Sequence, residues 1–114
     1  MVVPSIGMLV LVPFPFSDLS KTKLRPAVVL ANAGRGDWIL CQVTSNPYGD
    51  NRAIELLNTS LATGSLRFTS YARPGKLFTA HHTLVVGQVG VLAADPIRQI
   101  IGTVVEILQQ RHVA

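Results

Sequence analysis

The residues able to do chemistry in this 114-residue chain are mostly cations and hydroxyls, gathered at the ends of apolar runs. In "SDLSKTKLRPAVVL" (17–30) Lys21, Lys23 and Arg25 crowd a short polar loop, and Arg25 opens a strongly apolar stretch. In "DWILCQVTSN" an apolar run ends in Thr44, Ser45 and Asn46. Arg67, Arg73 and Lys76 form a second basic group. A net charge of +4 favours an anionic partner for such a rim. The same residues also have a plainer reading. A threonine at a strand end is commonly a turn former, and an arginine before proline can simply cover apolar neighbours. Residue type and spacing alone leave both readings open.

Carboxylate-based plans find little support. The acids are Asp18, Asp37, Asp50, Glu55, Asp95 and Glu106, and no two are spaced as a catalytic dyad or a magnesium site. There is no glycine-rich phosphate loop and no nucleophile elbow. His81 and His82 are adjacent, so on a strand they point to opposite faces and at most one could enter a site. The single cysteine, Cys41, lies within "WILCQV" and reads as a small buried hydrophobe. With no second cysteine and no His-x-x-x-His spacing, neither a zinc site nor any other metal or cofactor is expected.

The elements that must position these groups are short. "GMLVLV" (7–12) reads as a core strand ended by "PFPF", because proline supplies no ladder donor. Residues 25–31 and 37–44 read as two strands joined by the turn "NAGRG". As an antiparallel hairpin they would set Arg25 beside Thr44 at one rim, with Lys21 and Lys23 overhanging from the loop. "SNPYGDNR" (45–52) is a loop. Three β-like pieces follow ("AIELL", "LRFTSYA" and "TLVVGQVGVLA"), punctuated by "TG" and "RPG".

The end differs in kind. Ile97, Ile100, Ile101, Val104, Val105 and Leu108 recur at the spacing of one helical face, with Asp95 as N-cap and Pro96 at the first helical position. Short strands closed by one amphipathic helix suggest a strongly bent barrel, which hides strand edges. With 48% hydrophobic and 14% charged residues, the whole chain, 1–114, reads as one domain. The opening stretch is apolar, but it lacks a basic n-region and is broken by three prolines. Neither a signal peptide nor a membrane span is expected there, and a cytoplasmic setting is.

Three ordered motifs carry a resemblance. "GMLVLVPFPFSDLSKTKLRPAVVL" resembles the opening of the MazF/PemK-type toxins of type II toxin–antitoxin pairs, in which a Pro-Phe loop precedes Arg-Pro and an apolar strand. "ILCQVTSN" resembles their next signature, an apolar strand ending in a hydroxyl residue. "SYARPGKLFT" resembles a third, Ser-x-Val/Ile-Arg followed by a cation. The resemblance implies an SH3-like small β-barrel with a C-terminal helix, the fold shared by MazF, CcdB and Kid. It implies a homodimeric endoribonuclease that cleaves single-stranded RNA without metal, and a cognate antitoxin whose C-terminal segment occupies the RNA groove. The family's catalytic pair carries over to Arg25 and Thr44. Lys21, Lys23, Ser45, Asn46, Arg73 and Lys76 are then candidates for RNA contacts.

The chain departs from the family pattern at Met8, at Ala72 and in "AHH" after Thr79, and none of these removes a proposed catalytic group. Two other functions fit the same fold. One is a CcdB-like poison that binds DNA gyrase and cuts nothing; the other is a degenerate nucleic-acid-binding barrel.

Overall fold

The computed structural model describes residues 2–15 and 22–110; Lys21 lies outside them. Seven strands form one antiparallel sheet: β1 (Met8–Pro15), β2 (Thr22–Gly34), β3 (Asp37–Thr44), β4 (Ile54–Leu56), β5 (Leu61–Gly64), β6 (Ser70–His81) and β7 (Gly87–Leu92). Helix α1 (Ala94–Leu108) follows β7, and two 3₁₀ turns lie at Asn58–Ser60 and His82–Leu84.

The strand order β4-β6-β3-β2-β1-β7-β5 forces the sheet to curl. Its two outermost strands, β4 and β5, are consecutive in the chain and separated only by residues 57–60. Laid flat, seven strands would hold the outer pair about 29 Å apart at ~4.8 Å per strand. The link can span only about 17 Å even when extended. The sheet therefore rolls into a half-barrel whose edges meet at a seam, and the seam is closed by chain connectivity. The Ala93 N–H, donating to the Ser60 carbonyl at 2.9 Å, ties the start of the helix to the seam.

Rolling separates two faces. The inner face packs Leu9, Val28, Cys41, Val43, Ile54, Leu56, Ala72 and Leu92 around Ile100 of α1. The outer face carries Met8, Val10, Val12, Ala27, Val29, Leu40 and Ala80, flanked by the partly buried Phe14, Trp38 and Phe78. Phe14 meets Phe78 edge to face at 4.7 Å. Because both faces of β1–β3 are covered, these strands read as continuous apolar runs rather than alternating ones.

Several boundaries differ from the sequence reading. β1 continues through Pro13 and Pro15, which pair with Leu24 and Thr22. Both prolines share the parity of Leu11, whose carbonyl accepts from Val86 on the β7 side. Their missing donors thus face the side where β7 pairing has already ended at Leu11. The extended β1 recruits residues 22–24 into β2, so Lys23 stands on a strand and not in a loop. The β2–β3 turn narrows to Arg35 and Gly36, both at positive φ (57° and 84°), as a two-residue hairpin of right-handed twist requires. "RPG" does not break β6, which runs through it as a bulge, and residues 66–69 are not a strand. The helix starts earlier than read. Ala93 is its N-cap, and Asp95 sits in the first turn, paired with Arg98 at 2.7 Å. Only part of its apolar stripe is covered. Ile100 is buried, while Ile101, Val105 and Leu108 stay exposed, and a groove of about 230 Å³ opens between α1 and the sheet.

Candidate active site

Strand register decides which side chains can meet at the rim. Val12 pairs with Arg25 across β1 and β2. Ala27–Gln42 is the last β2–β3 pair at this end, with Val28–Cys41 before it, and Arg25 and Thr44 each lie two residues beyond it on the same face. Thr44 pairs with Tyr71 on β6, which in turn pairs with Glu55 on β4. Paired residues, and residues two steps along from a pair, share a face, so Arg25, Thr44, Tyr71 and Glu55 lie on the outer face, the last three as one paired row. Their sequence neighbours Val43, Ala72, Ile54 and Leu56 turn inward to the core. At ~4.8 Å per strand, Arg25 and Thr44 are neighbours and Glu55 stands about 14 Å along the row from Arg25.

Thr44 is only 7% exposed, and its hydroxyl is engaged locally. It donates to the Asn46 carbonyl (3.1 Å) and accepts from the Asn46 N–H (3.2 Å). Asn46 Oδ1 then accepts from the Tyr48 N–H (2.9 Å), and Tyr48 and Gly49 turn the chain at positive φ. Thr44 is thus a turn former here, and a ligand needing its proton must take it from Asn46. Ser45 and Asn46 are exposed on the turn that it organises.

The loop is latched at its far end. Arg73 Nε donates to Asp50 Oδ2 at 2.9 Å, and the Arg52 N–H donates to Asp50 Oδ1 at 3.0 Å. The Arg73 bond, reinforced by Arg52, holds the Asp50 carboxyl below its ordinary value of 3.8. Arg73 is therefore an anchor already paired with a carboxylate, and what it could offer an anion is shared with Asp50.

Lys23 is exposed on β2, two residues from Arg25 and on the same face, roughly 7 Å along the strand. Lys76 is exposed at the end of the β6 bulge, next to the Cys41–Leu77 pair, about 10 Å along β3 from Thr44. Cys41 is buried, and its thiol donates to the Arg73 carbonyl at 3.2 Å; burial pushes it up to about 12.

The histidines belong elsewhere. His81 pairs with Asp37 at the opposite end of β3, about 24 Å from Thr44. They also do not diverge as two strand residues would. β6 ends at His81 and His82 begins a 3₁₀ turn, which brings the two rings to 4.4 Å. Among the described residues no three His, Cys, Asp or Glu side chains converge as metal ligands, and no helix is long and apolar enough to cross a membrane.

Two members of the row escape a reading by type and spacing. Glu55 is legible in retrospect from the alternation Ile-Glu-Leu, which can only turn Glu55 away from the core. Tyr71 is not, because its face depends on the bulge that follows it.

The sequence matches no protein-family model and no curated protein. Solved structures do share the fold over nearly the whole chain. A MazE–MazF complex from Deinococcus radiodurans superposes with a TM-score of 0.74 at 21% identity, covering 97% of this chain and all of that one. An endoribonuclease bound to its cognate antitoxin, from a mycobacterial species, gives 0.69 at 14% identity, covering 99% and 100%. The Mycobacterium tuberculosis toxin MazF-mt6 gives 0.68 at 13% identity, covering 92% and 99%. This chain has the fold of the MazF toxins.

Proposed function

We propose that this protein is a MazF-type toxin, a cytoplasmic homodimeric endoribonuclease that cuts single-stranded RNA and is silenced by a cognate antitoxin. One observation supports the reading: the Arg-Pro arginine and the strand-ending threonine lie on one face of neighbouring strands, each two residues beyond the Ala27–Gln42 pair, in the fold that the MazF toxins have. The antitoxin-bound neighbours support the partner, since a segment lying on this rim would cover both groups.

The chemistry follows from what the row holds. In cleavage without a metal, the ribose 2′-hydroxyl attacks the adjacent phosphorus, the P–O5′ bond breaks, and a 2′,3′-cyclic phosphate and a 5′-hydroxyl result. Charge builds on the non-bridging oxygens, the 2′-hydroxyl proton passes to water, and water supplies one proton to the leaving 5′-oxygen. A guanidinium presents planar paired donors to two phosphate oxygens, and it is a permanent cation, which makes it a stabiliser rather than a base. Held half-buried on a strand, Arg25 is positioned more tightly than a loop residue would be. Thr44 donates its hydrogen bond to a phosphate oxygen once RNA displaces the Asn46 carbonyl. Lys23, with Lys21 from the preceding segment, binds flanking phosphates. Ser45 and Asn46 meet base edges, and Arg73 and Lys76 line the approach.

The test is incubation of the purified protein with long single-stranded RNA in excess EDTA, followed by end mapping. Discrete cuts leaving cyclic-phosphate and 5′-hydroxyl ends, lost in Arg25→Ala and at sites carrying deoxyribose, are expected. Intact RNA across unrelated substrates would overturn the reading in favour of a binder that does not cut, with gyrase inhibition as the next assay.

A further inference from the structure

Beyond the row lies a second feature that the proposed chemistry does not use. Where the two edges of the half-barrel meet, the β4–β5 link (57–59) and the β5–β6 loop (66–69) wall a cleft of about 370 Å³. We infer that this seam cleft is a nucleobase subsite, taking a base of single-stranded RNA next to the phosphate held at Arg25 and Thr44. The inference rests on the ribonuclease reading and extends it.

Position comes first. Leu56–Ser70 is the last β4–β6 pair, and Leu57 and Thr69 continue it. Thr69 lies two residues, about 7 Å, beyond the Tyr71 that pairs with Thr44. A strand of RNA with its phosphate at Thr44 thus brings a neighbouring base over Tyr71 and to the cleft mouth.

The cleft is also built in advance. The Leu66 N–H donates to Asn58 Oδ1 at 2.6 Å, stitching one wall to the other. The Leu57 N–H donates to Ser60 Oγ at 3.0 Å, and the Ser70 hydroxyl donates to the Phe68 carbonyl at 3.1 Å. Three bonds therefore fix the two walls without any ligand. The bond that Asn58 accepts sets its amide plane, so its NH₂ group is the end left to donate to a base edge.

Its chemistry is that of a stacking site. Phe68 is 68% exposed, so its ring is open to a ligand entering the cleft. The Arg67 guanidinium stands 5.8 Å from the Phe68 ring centroid, so ring and cation together offer a flat, positively charged wall. Leu57 and Leu66 supply an apolar counter-face, and no carboxylate lines the cleft. Its volume falls near the lower end of the ~300–1,000 Å³ usual for small-ligand sites, right for one base and too small for a folded segment. Unpaired bases are held in this way, stacked on an aromatic or guanidinium plane and bonded along an edge.

The experiment compares wild type, Phe68→Ala, Phe68→Tyr and Asn58→Ala. One assay is cut-site mapping on long RNA. The other is fluorescence anisotropy with a 2′-O-methyl RNA 12-mer pool, which cannot be cut. Phe68→Ala is expected to weaken 12-mer binding by about 5- to 150-fold, equivalent to ~1–3 kcal/mol for one lost stack. KM rises with kcat little changed, base preference flattens at one position beside the cut, and Phe68→Tyr restores all three. Asn58→Ala alters preference at the same position. If Phe68→Ala binds the 12-mer and selects sites as wild type does, the subsite is refuted while the nuclease stands. A wild type that binds the 12-mer through Phe68 but never cuts sinks the nuclease and keeps the subsite. A wild type that binds no RNA sinks both. Phe68 is exposed, so circular dichroism should show the Ala variant folded, and its loss of binding then reports on the cleft.

Discussion

Replacing Thr44 by valine separates the two meanings of this residue. Valine nearly matches threonine in shape and removes only the hydroxyl. In the free protein that hydroxyl makes two bonds, both to Asn46, each worth about 0.5–1.5 kcal/mol net. Asn46 is exposed, so water replaces much of what its backbone loses, and the apolar methyl suits a site only 7% exposed. The net cost should fall near the bottom of the ~1–3 kcal/mol that the two bonds span together, about 1 kcal/mol, or a drop of roughly 3–6 °C in Tm for a chain of this size. If the hydroxyl also donates to the phosphate as charge builds, kcat falls by about 100- to 1,000-fold, as when a preorganised oxyanion donor is removed. Thr44→Ser keeps the donor and should retain most activity. Gly49→Ala serves as the control for turn damage, because it strains a residue at φ 74° without touching the hydroxyl. It should lower Tm and raise KM while sparing kcat. Thermal melts and single-turnover cleavage of a mapped substrate read both quantities. A Thr44→Val enzyme within about threefold of wild type in kcat would refute the catalytic role and leave Thr44 as a turn former.

Three further outcomes concern two groups around the site, Asp50 and Cys41. Arg73 holds the Asp50 carboxyl below its unfolded value of 3.8, so the latch contributes fully above that pH and is lost as pH falls through the lower folded value. Asp50→Asn should flatten the acid limb of a Tm-against-pH curve; an unchanged limb would mean that the latch does not stabilise the fold. Cys41, buried and raised to about 12, should resist iodoacetamide at pH 8 in the native protein and react fully in guanidinium. Because the unfolded thiol ionises first, near 9.0, stability should also fall as pH rises from about 9 towards 12, and Cys41→Ala should lack that fall.

What the sequence reveals of this site depends on how local the determining physics is. β3 is legible from Asp37 to Thr44 because its apolar run is bounded by a turn at each end. Counting back from the Gly34–Asp37 pair would set Arg25 level with Asn46; the register shifts between Val29 and Ala31 and between Asn32 and Gly34 bring it level with Thr44 instead. The helix is legible from its spacing, with an error of only one or two residues at a start that lacks a side-chain cap. Pro13 and Pro15 mislead because whether a missing donor matters depends on which side the neighbouring strand stops. β5 and the seam cleft were invisible for a similar reason. "LATG" has almost no pattern of its own, and it becomes a strand only because β7 offers Gly90 and Val91 as partners.

Tyr71 shows why the outer row could not be completed from pattern. Alternation counted back along β6 from Leu77, the partner of Cys41, would turn Arg73 and Tyr71 towards the core and Ala72 away from it. In the folded chain Val43 pairs with Ala72, so the four residues Arg73, Pro74, Gly75 and Lys76 face the single residue Gln42. Three extra residues are an odd number, and an odd slip exchanges faces. Ala72 enters the core and Tyr71 joins Thr44 on the outer face. The bulge is held from three sides: Pro74 is fully buried, the Arg73 carbonyl accepts from the Cys41 thiol, and the Arg73 guanidinium is latched to Asp50. The stretch that departs most from strand chemistry therefore sets the face of the strand before it. The "RPGK" bulge, and not the β propensity of "SYA", lets the Arg25–Thr44 pair continue through Tyr71 towards the seam.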